Sequence, residues 1–499
     1  MSKGTSFFDT FLDQKGHPYS KSYFYNKRVS LLTQLLTIKI FHTIIYSVKF
    51  RREELKMKIQ LSEHFTYKKL IKFTIPTIIM MIFTSIYGVV DGIFVSNYVG
   101  SDSFAAVNLI MPILMILGTI GFMIGTGGSA LISKTIGEGN KEKANEYFSM
   151  LIYLLIIIGL ILTIVGIITI EPASKMLGAE GEILKDCITY GRTILIFLIP
   201  FVLQNCFQSL VIVAEKPTFG LIISVVSGVL NMILDFLFMY VFKMGVFGAA
   251  VATGISQLIG SIIPIIYFIR ENNSPLRLRK AKFEGKAILQ TCINGSSEML
   301  TNLSMSLVNM LYNMQLMKYA GADGVVAYGI IMYVSFIFVG IYFGYSTGTA
   351  PIIGYHYGAE NTEELKSLLK KSLRLIAITA IIMTILAELS SKILASIFVS
   401  YDTELLDMTA NAIRLFSISY IISGFNIFAS SFFTALNDGV VSAAISFLRT
   451  LVFQVAMIFI LPALFELNGI WLAVVLAEIL SLGVSIVFLA ENRKKYNYA

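Results

Sequence analysis

Between residues 70 and 490 the chain is a succession of long apolar runs separated by short polar breaks. A helix crossing a hydrocarbon core of about 30 Å needs roughly 20 mostly apolar residues. Inside that core every backbone polar group must be bonded within the protein. The runs predict helices near 70–98, 103–133, 144–170, 182–213, 217–241, 246–270, 285–319, 325–354, 364–398, 404–435, 438–463 and 469–490. That is twelve spans. Composition agrees: 56% of residues are hydrophobic, only 14% are charged, and the mean hydropathy is +0.76. An average soluble protein is about 25% charged. An ordinary cytosolic enzyme, a disordered chain and a secreted disulfide scaffold are excluded. The fold class is an all-α integral membrane protein.

The net charge of +8 does not describe a nucleic-acid-binding face, and no nucleic-acid partner is expected. Residues 1–56 hold ten Lys/Arg and four Asp/Glu, so +6 of the total sits there. The other basic residues gather in short loops. Lys68, Lys69, Lys72, Lys134, Lys141, Lys143, Lys216, the stretch Arg270 to Lys286, Lys366, Lys370, Lys371, Arg374, Arg493, Lys494 and Lys495 fall on one side. Basic loops mark the cytoplasmic side, so both termini are expected inside, in a multi-pass protein of the cell membrane. Residues 1–64 read as a leader. Val29 to Val48 is apolar but broken by Lys39 and His42, and Met57 stands just before the first span. A start assigned too far upstream and an interfacial helix are both open readings. Cys187, Cys206 and Cys292 lie in apolar segments without CxxC spacing and read as packing residues.

The two halves of the chain align without gaps at a constant numbering offset of 221, which sets Tyr98 over Tyr319. YVGSDSFAAVNLIMP (98–112) lies over YAGADGVVAYGIIMY (319–333), and GTGGSALISKTIGEGNKE (125–142) lies over STGTAPIIGYHYGAENTE (346–363). Across 98–142 there are 15 identities in 45 ungapped positions, among them Asp102/Asp323 and Asn140/Asn361. Six crossings per repeat make both halves enter from the same face, related by an axis along the membrane normal. The expected domains are a six-helix bundle over 65–275 and a second over 276–499.

Charged groups deep in a span are costly and usually face a cavity or a partner. The first span carries Asp91, the fifth Asn231 and Asp235, the sixth Thr253. Spacing of i, i+4 puts Asn231 and Asp235 on one helix face. At about 1.5 Å per residue, Asp91, Asp235 and Thr253 all lie roughly 10 Å below the outer face. Two carboxylates, an amide and a hydroxyl at one depth suit a proton or a Na⁺ ion. In the register of the repeat the four positions become Tyr312, Val452, Ala456 and Val474, so the second half keeps none of this set. Glu298 reads as a second acidic site, part of an inner gate, or a structural acid. Glu388 and Glu478 are weaker candidates. Asn205, Gln208, Asn309, Asn313 and Asn426 are candidates for lining a cavity or bridging helices. Arg192 and Arg414 lie near outer ends, leaving mid-membrane charges mostly acidic. Pro76, Pro112, Pro200 and Pro351 can kink helices, and GFMIGTGG (121–128) permits close packing. No GxxxxGK[ST], HExxH or CxxC occurs. No enzyme activity, no metal site beyond Na⁺ at these residues, and no cofactor is expected.

GVFGAAVATGISQ after NMILDF, DGIFVSNYVG followed by AAVN, and the six-plus-six repeat resemble the MATE (multidrug and toxic compound extrusion) transporters over roughly residues 65–490. The resemblance implies a twelve-helix antiporter exchanging H⁺ or Na⁺ for organic, often cationic, drugs. Its ion site maps to Asp91, Asn231, Asp235 and Thr253. Some members carry further acids in helices seven and ten. Glu298 sits earlier than that pattern wants, and helix ten offers only Asp407 near its outer end. The expected function is multidrug efflux by alternating access, in a monomer contacting small organic cations and the bilayer. The rivals are a lipid-linked sugar flippase of related fold and a channel or non-transporting scaffold.

Overall fold

The computed structural model describes residues 59–99, 101–400 and 402–498. The expectation for residues 1–56 lies outside the described residues. Helices follow one another as α1 (Tyr67–Tyr98), α2 (Ser101–Gly137), α3 (Lys141–Met176), α4 (Gly181–Ile196), α5 (Leu198–Val213) and α6 (Pro217–Asp235), which runs into a π-helical turn (Phe236–Val241). Then come α7 (Gly245–Ile269), α8 (Gly285–Gly358), α9 (Thr362–Val399), α10 (Thr403–Ser417), α11 (Tyr420–Ala435) and α12 (Gly439–Phe447). A second π-helical turn (Leu448–Val452), α13 (Phe453–Glu491) and α14 (Arg493–Tyr496) complete the described chain.

Among the described residues, eight helices are long and apolar enough to cross a membrane, or ten when each bent pair counts as one span. The bent pairs are α4 with α5 (59°) and α10 with α11 (47°). The first bend precedes Pro200, whose missing N–H cannot bond back to the carbonyl of Ile196. Two helices are far too long for one crossing. α8 has 74 residues, about 110 Å at 1.5 Å per residue, but Gly321 takes a left-handed backbone (φ 60°) in its middle. α13 breaks at Glu466 (φ 49°), whose counterpart in the first half is Gly245, with its own φ of 60°.

The sequence repeat recurs in three dimensions. Asn140 and Asn361 cap α3 and α9, their side chains accepting from the backbone N–H of Lys143 (3.0 Å) and Glu364 (3.1 Å). α3 turns Ile157, Ile161, Ile164 and Ile168 outward, and α9 turns Ile378, Ile382, Ile385 and Leu389 outward. These are the same four positions in each repeat, spaced along one helical stripe. In water such a stripe would drive association; against hydrocarbon it needs no partner. α2 packs on α5 and α8, and α1 on α6 and α8. The α2–α8 approach is backbone to backbone: a methyl group on Gly127 would stand 2.0 Å from the carbonyl oxygen of Thr291. Cys187, Cys206 and Cys292 are all free thiols.

Candidate functional site

Asp91, Asn231, Asp235 and Thr253 come from three helices, and the fold brings them together. Asp235 ends the α-helical part of α6 and is fully buried; Asn231, one turn earlier, is equally buried. The π-helical turn begins at the next residue, Phe236. Such turns widen a helix locally and recur at functional sites. The Asn231 amide donates to the Thr253 hydroxyl on α7 at 3.5 Å. The carboxyl groups of Asp91 on α1 and Asp235 lie within side-chain interaction distance of each other. Neither Asp235 oxygen has a hydrogen-bond donor, and Asp91 Oδ1 and Asn231 Oδ1 are likewise buried without one. Four acceptor oxygens of one cluster are thus buried without a donor among the described residues. Tyr190, buried on α4, stands within electrostatic reach of both carboxyls. Nothing in the sequence marked it, because no spacing rule links α4 to Asp91.

A cavity of about 500 Å³ is walled mainly by α8, with contributions from α1, α2, α5 and α13. α1 serves both sites: Met81, Thr84 and Ser85 line the cavity, and Asp91 follows Ser85 on the same helix, about 9 Å further along the axis. Of the sequence candidates, Glu298, Glu478, Gln208 and Asn309 line the cavity. Asn309 accepts a hydrogen bond from Tyr328 at 2.7 Å.

Three other candidates do not line this cavity. Asn205 bridges α5 to the Gly118 carbonyl of α2 (3.4 Å), and Asn426 donates to the Glu478 carboxylate (2.7 Å). Asn313 is exposed. Glu388 accepts from Ser417 at 3.1 Å. The sequence reading of mid-membrane charge as mostly acidic overlooked one basic group. Arg449, in the second π-helical turn, faces the cavity and pairs with Glu478 (2.8 Å). Its depth in the run 438–463 was the signal that could have found it. Among the described residues, no group of three or more His, Cys, Asp or Glu is placed to hold a metal ion.

Comparison with known proteins matches this architecture. The chain is 25% identical over 438 residues to the multidrug export protein MepA of Staphylococcus saprophyticus, covering 86% of this chain and 94% of that protein. MepA of Staphylococcus haemolyticus is 26% identical over 439 residues, with the same coverage. Among solved structures, an outward-facing multidrug resistance MATE family transporter of the MOP superfamily superposes with a TM-score of 0.83 at 24% identity, over 89% of this chain and 99% of that one. A MATE protein in complex with MaL6 gives 0.82 at 23%, over 87% and 98%. The family model described as MatE matches the chain twice, over residues 76–237 and again over 299–460. With both halves matched and the fold shared, the chain belongs to the MATE family.

Proposed function

We propose that this protein is a secondary active multidrug efflux transporter, exchanging H⁺ or Na⁺ for organic, mostly cationic, drugs across the cell membrane by alternating access. The observation that carries the reading is the Asp91–Asp235 pair. Two adjacent carboxyl groups in an apolar bundle, without a basic partner among the described residues, cannot both stay ionised. They hold a proton or take up a small hard cation, with Asn231 and Thr253 supplying further oxygens. Counting the chain on either side of Gly321 and Glu466 as separate spans gives twelve crossings, two bundles of six, and both termini on the basic, cytoplasmic side.

α1 couples the two events. Loading the carboxyl pair removes repulsion between α1 and α6, and the resulting shift of α1 alters the cavity wall at Met81, Thr84 and Ser85. Drug leaves outward as the cation binds, and rebinds from inside once the cation is discharged. Exchange is driven only because each state differs in affinity for both ligands. The protein works as a monomer, with the cavity and the carboxyl pair both supplied by one chain. The flippase reading is disfavoured because the guanidinium in the cavity is already paired, leaving a lipid phosphate no open cation among the described lining residues. Purified protein in vesicles should concentrate ethidium when a pH or Na⁺ gradient is imposed; equal distribution under both gradients would overturn the exchange mechanism.

A further inference from the structure

Three charged side chains line the cavity among the described residues: Glu298, Arg449 and Glu478. Two of them are committed to each other. Arg449 meets Glu478 through Nη2 at 2.8 Å and through Nε at 2.9 and 3.1 Å, a multidentate contact. The side chains are 11% and 3% exposed. Glu478 is held from behind by Asn426 (2.7 Å), which is itself fixed by the Ser485 hydroxyl (2.9 Å). Charge-assisted, geometrically matched bonds of this kind do not readily open for a ligand. Glu298, on α8, forms no ion pair among the described residues, and it feels Arg449 only through space. The rest of the wall offers flat and soft apolar surface, including Phe336, Phe343, Phe416 and Met332.

We propose that Arg449 and Glu478 neutralise each other, leaving Glu298 as the cavity's single uncompensated charge, so that the cavity selects aromatic cations carrying one positive charge over those carrying two. The inference rests on the efflux reading and names the substrate class of that cavity. A volume of about 500 Å³ falls within the ~300–1,000 Å³ of small-molecule pockets. A first cationic centre pairs with Glu298 under the aromatic side chains. A second one finds no open carboxylate, because Glu478 is already engaged by Arg449, and is buried without a partner. Burying a cationic centre that has no counter-charge costs about tenfold or more in affinity.

Ethidium and propidium test this, because they share one ring system and propidium adds a second quaternary ammonium. Binding is measured by fluorescence titration of the full chain in nanodiscs, without any gradient. Wild type should favour ethidium by about tenfold or more. Glu298→Gln should lose most ethidium affinity. Arg449→Gln, which leaves two negative charges, should raise propidium affinity until the preference disappears or reverses. Arg449→Gln/Glu478→Gln should restore the preference that the single variant loses, and it supplies the readout if the single variant does not fold. An unchanged ratio in Arg449→Gln, or full ethidium binding by Glu298→Gln, would overturn the proposal. Failure of wild type to move ethidium uphill in vesicles, with the binding ratio as expected, would count against the efflux reading alone.

Discussion

Gly137 and Gly358, equivalent positions of the two repeats, make the same contact in opposite directions. A methyl group on Gly137 would stand 2.0 Å from the carbonyl oxygen of Tyr355, and one on Gly358 would stand 2.0 Å from that of Lys134. Tyr355 is itself the repeat counterpart of Lys134. The α2–α8 contact near the basic loops is therefore a two-fold pair of glycine-to-carbonyl approaches. Close packing of this kind holds membrane helices where no hydrophobic drive between them exists.

Gly137→Ala and Gly358→Ala should each force this contact apart, at a cost of about 1–3 kcal/mol. Because the contacts are equivalent, the two variants should lower the thermal midpoint of detergent-solubilised protein to a similar extent. A large loss in one and none in the other would contradict the equivalence.

Lys143 and Glu364 also occupy corresponding positions, at the starts of α3 and α9, and each fastens a segment that leads into a long helix. Lys143 pairs with Glu284, just before α8, and Glu284 accepts from Tyr147 as well. Glu364 accepts from the Phe65 N–H at 2.9 Å and meets His64 at 2.5 Å, just before α1. The hydrogen bond from Lys143 holds the Glu284 carboxyl below the ordinary glutamate value of 4.5, outweighing the opposing effect of its partial desolvation. A lowered carboxyl contributes above its unfolded value and is lost only as pH falls through the folded one. The Lys143–Glu284 fastening should thus be constant from pH 8 to pH 5.5. The other pair joins the His64 ring to the Glu364 carboxylate, so the second repeat fastens α1 through a different pair of side chains. Glu284→Gln should remove the Lys143–Glu284 fastening and lower the thermal midpoint of detergent-solubilised protein to the same extent at pH 8 and at pH 5.5. A loss seen at only one of the two pH values would contradict it.

Asp235→Asn should separate function from stability. Asparagine at 235 removes the repulsion between the two carboxyls and brings N–H donors to neighbouring acceptor oxygens that lack them, a gain of about 1–3 kcal/mol. Thermal unfolding should therefore move upward while gradient-driven transport is lost. A destabilised variant would mean that the carboxyl is structural.

The long apolar helices and the grouping of four polar side chains were legible in the sequence for a physical reason. Hydrocarbon thickness fixes run length, and Asn231 and Asp235 share a face by helical spacing alone. What stayed hidden depends on geometry that a linear pattern does not carry. The bend at Ile418 crosses an unbroken apolar run without a proline. Tyr190 reaches Asp91 only through tertiary packing. Arg449 finds Glu478 far along the chain on α13, from a π-helical turn that shifts its own helix out of phase. Asn426 reads like a cavity residue but satisfies Glu478, and Glu284 and Glu364 look like solvated loop acids until the segments they fasten are seen.

The most direct test of the account compares wild type, Asp91→Asn and Asp235→Asn in proteoliposomes, following ethidium under an imposed pH gradient and then under a Na⁺ gradient. The account predicts uphill movement by wild type under at least one gradient, which names the ion. It also predicts loss of that movement in both variants, with ethidium binding to the Glu298 cavity retained. Uphill transport by either variant at the wild-type rate would contradict it.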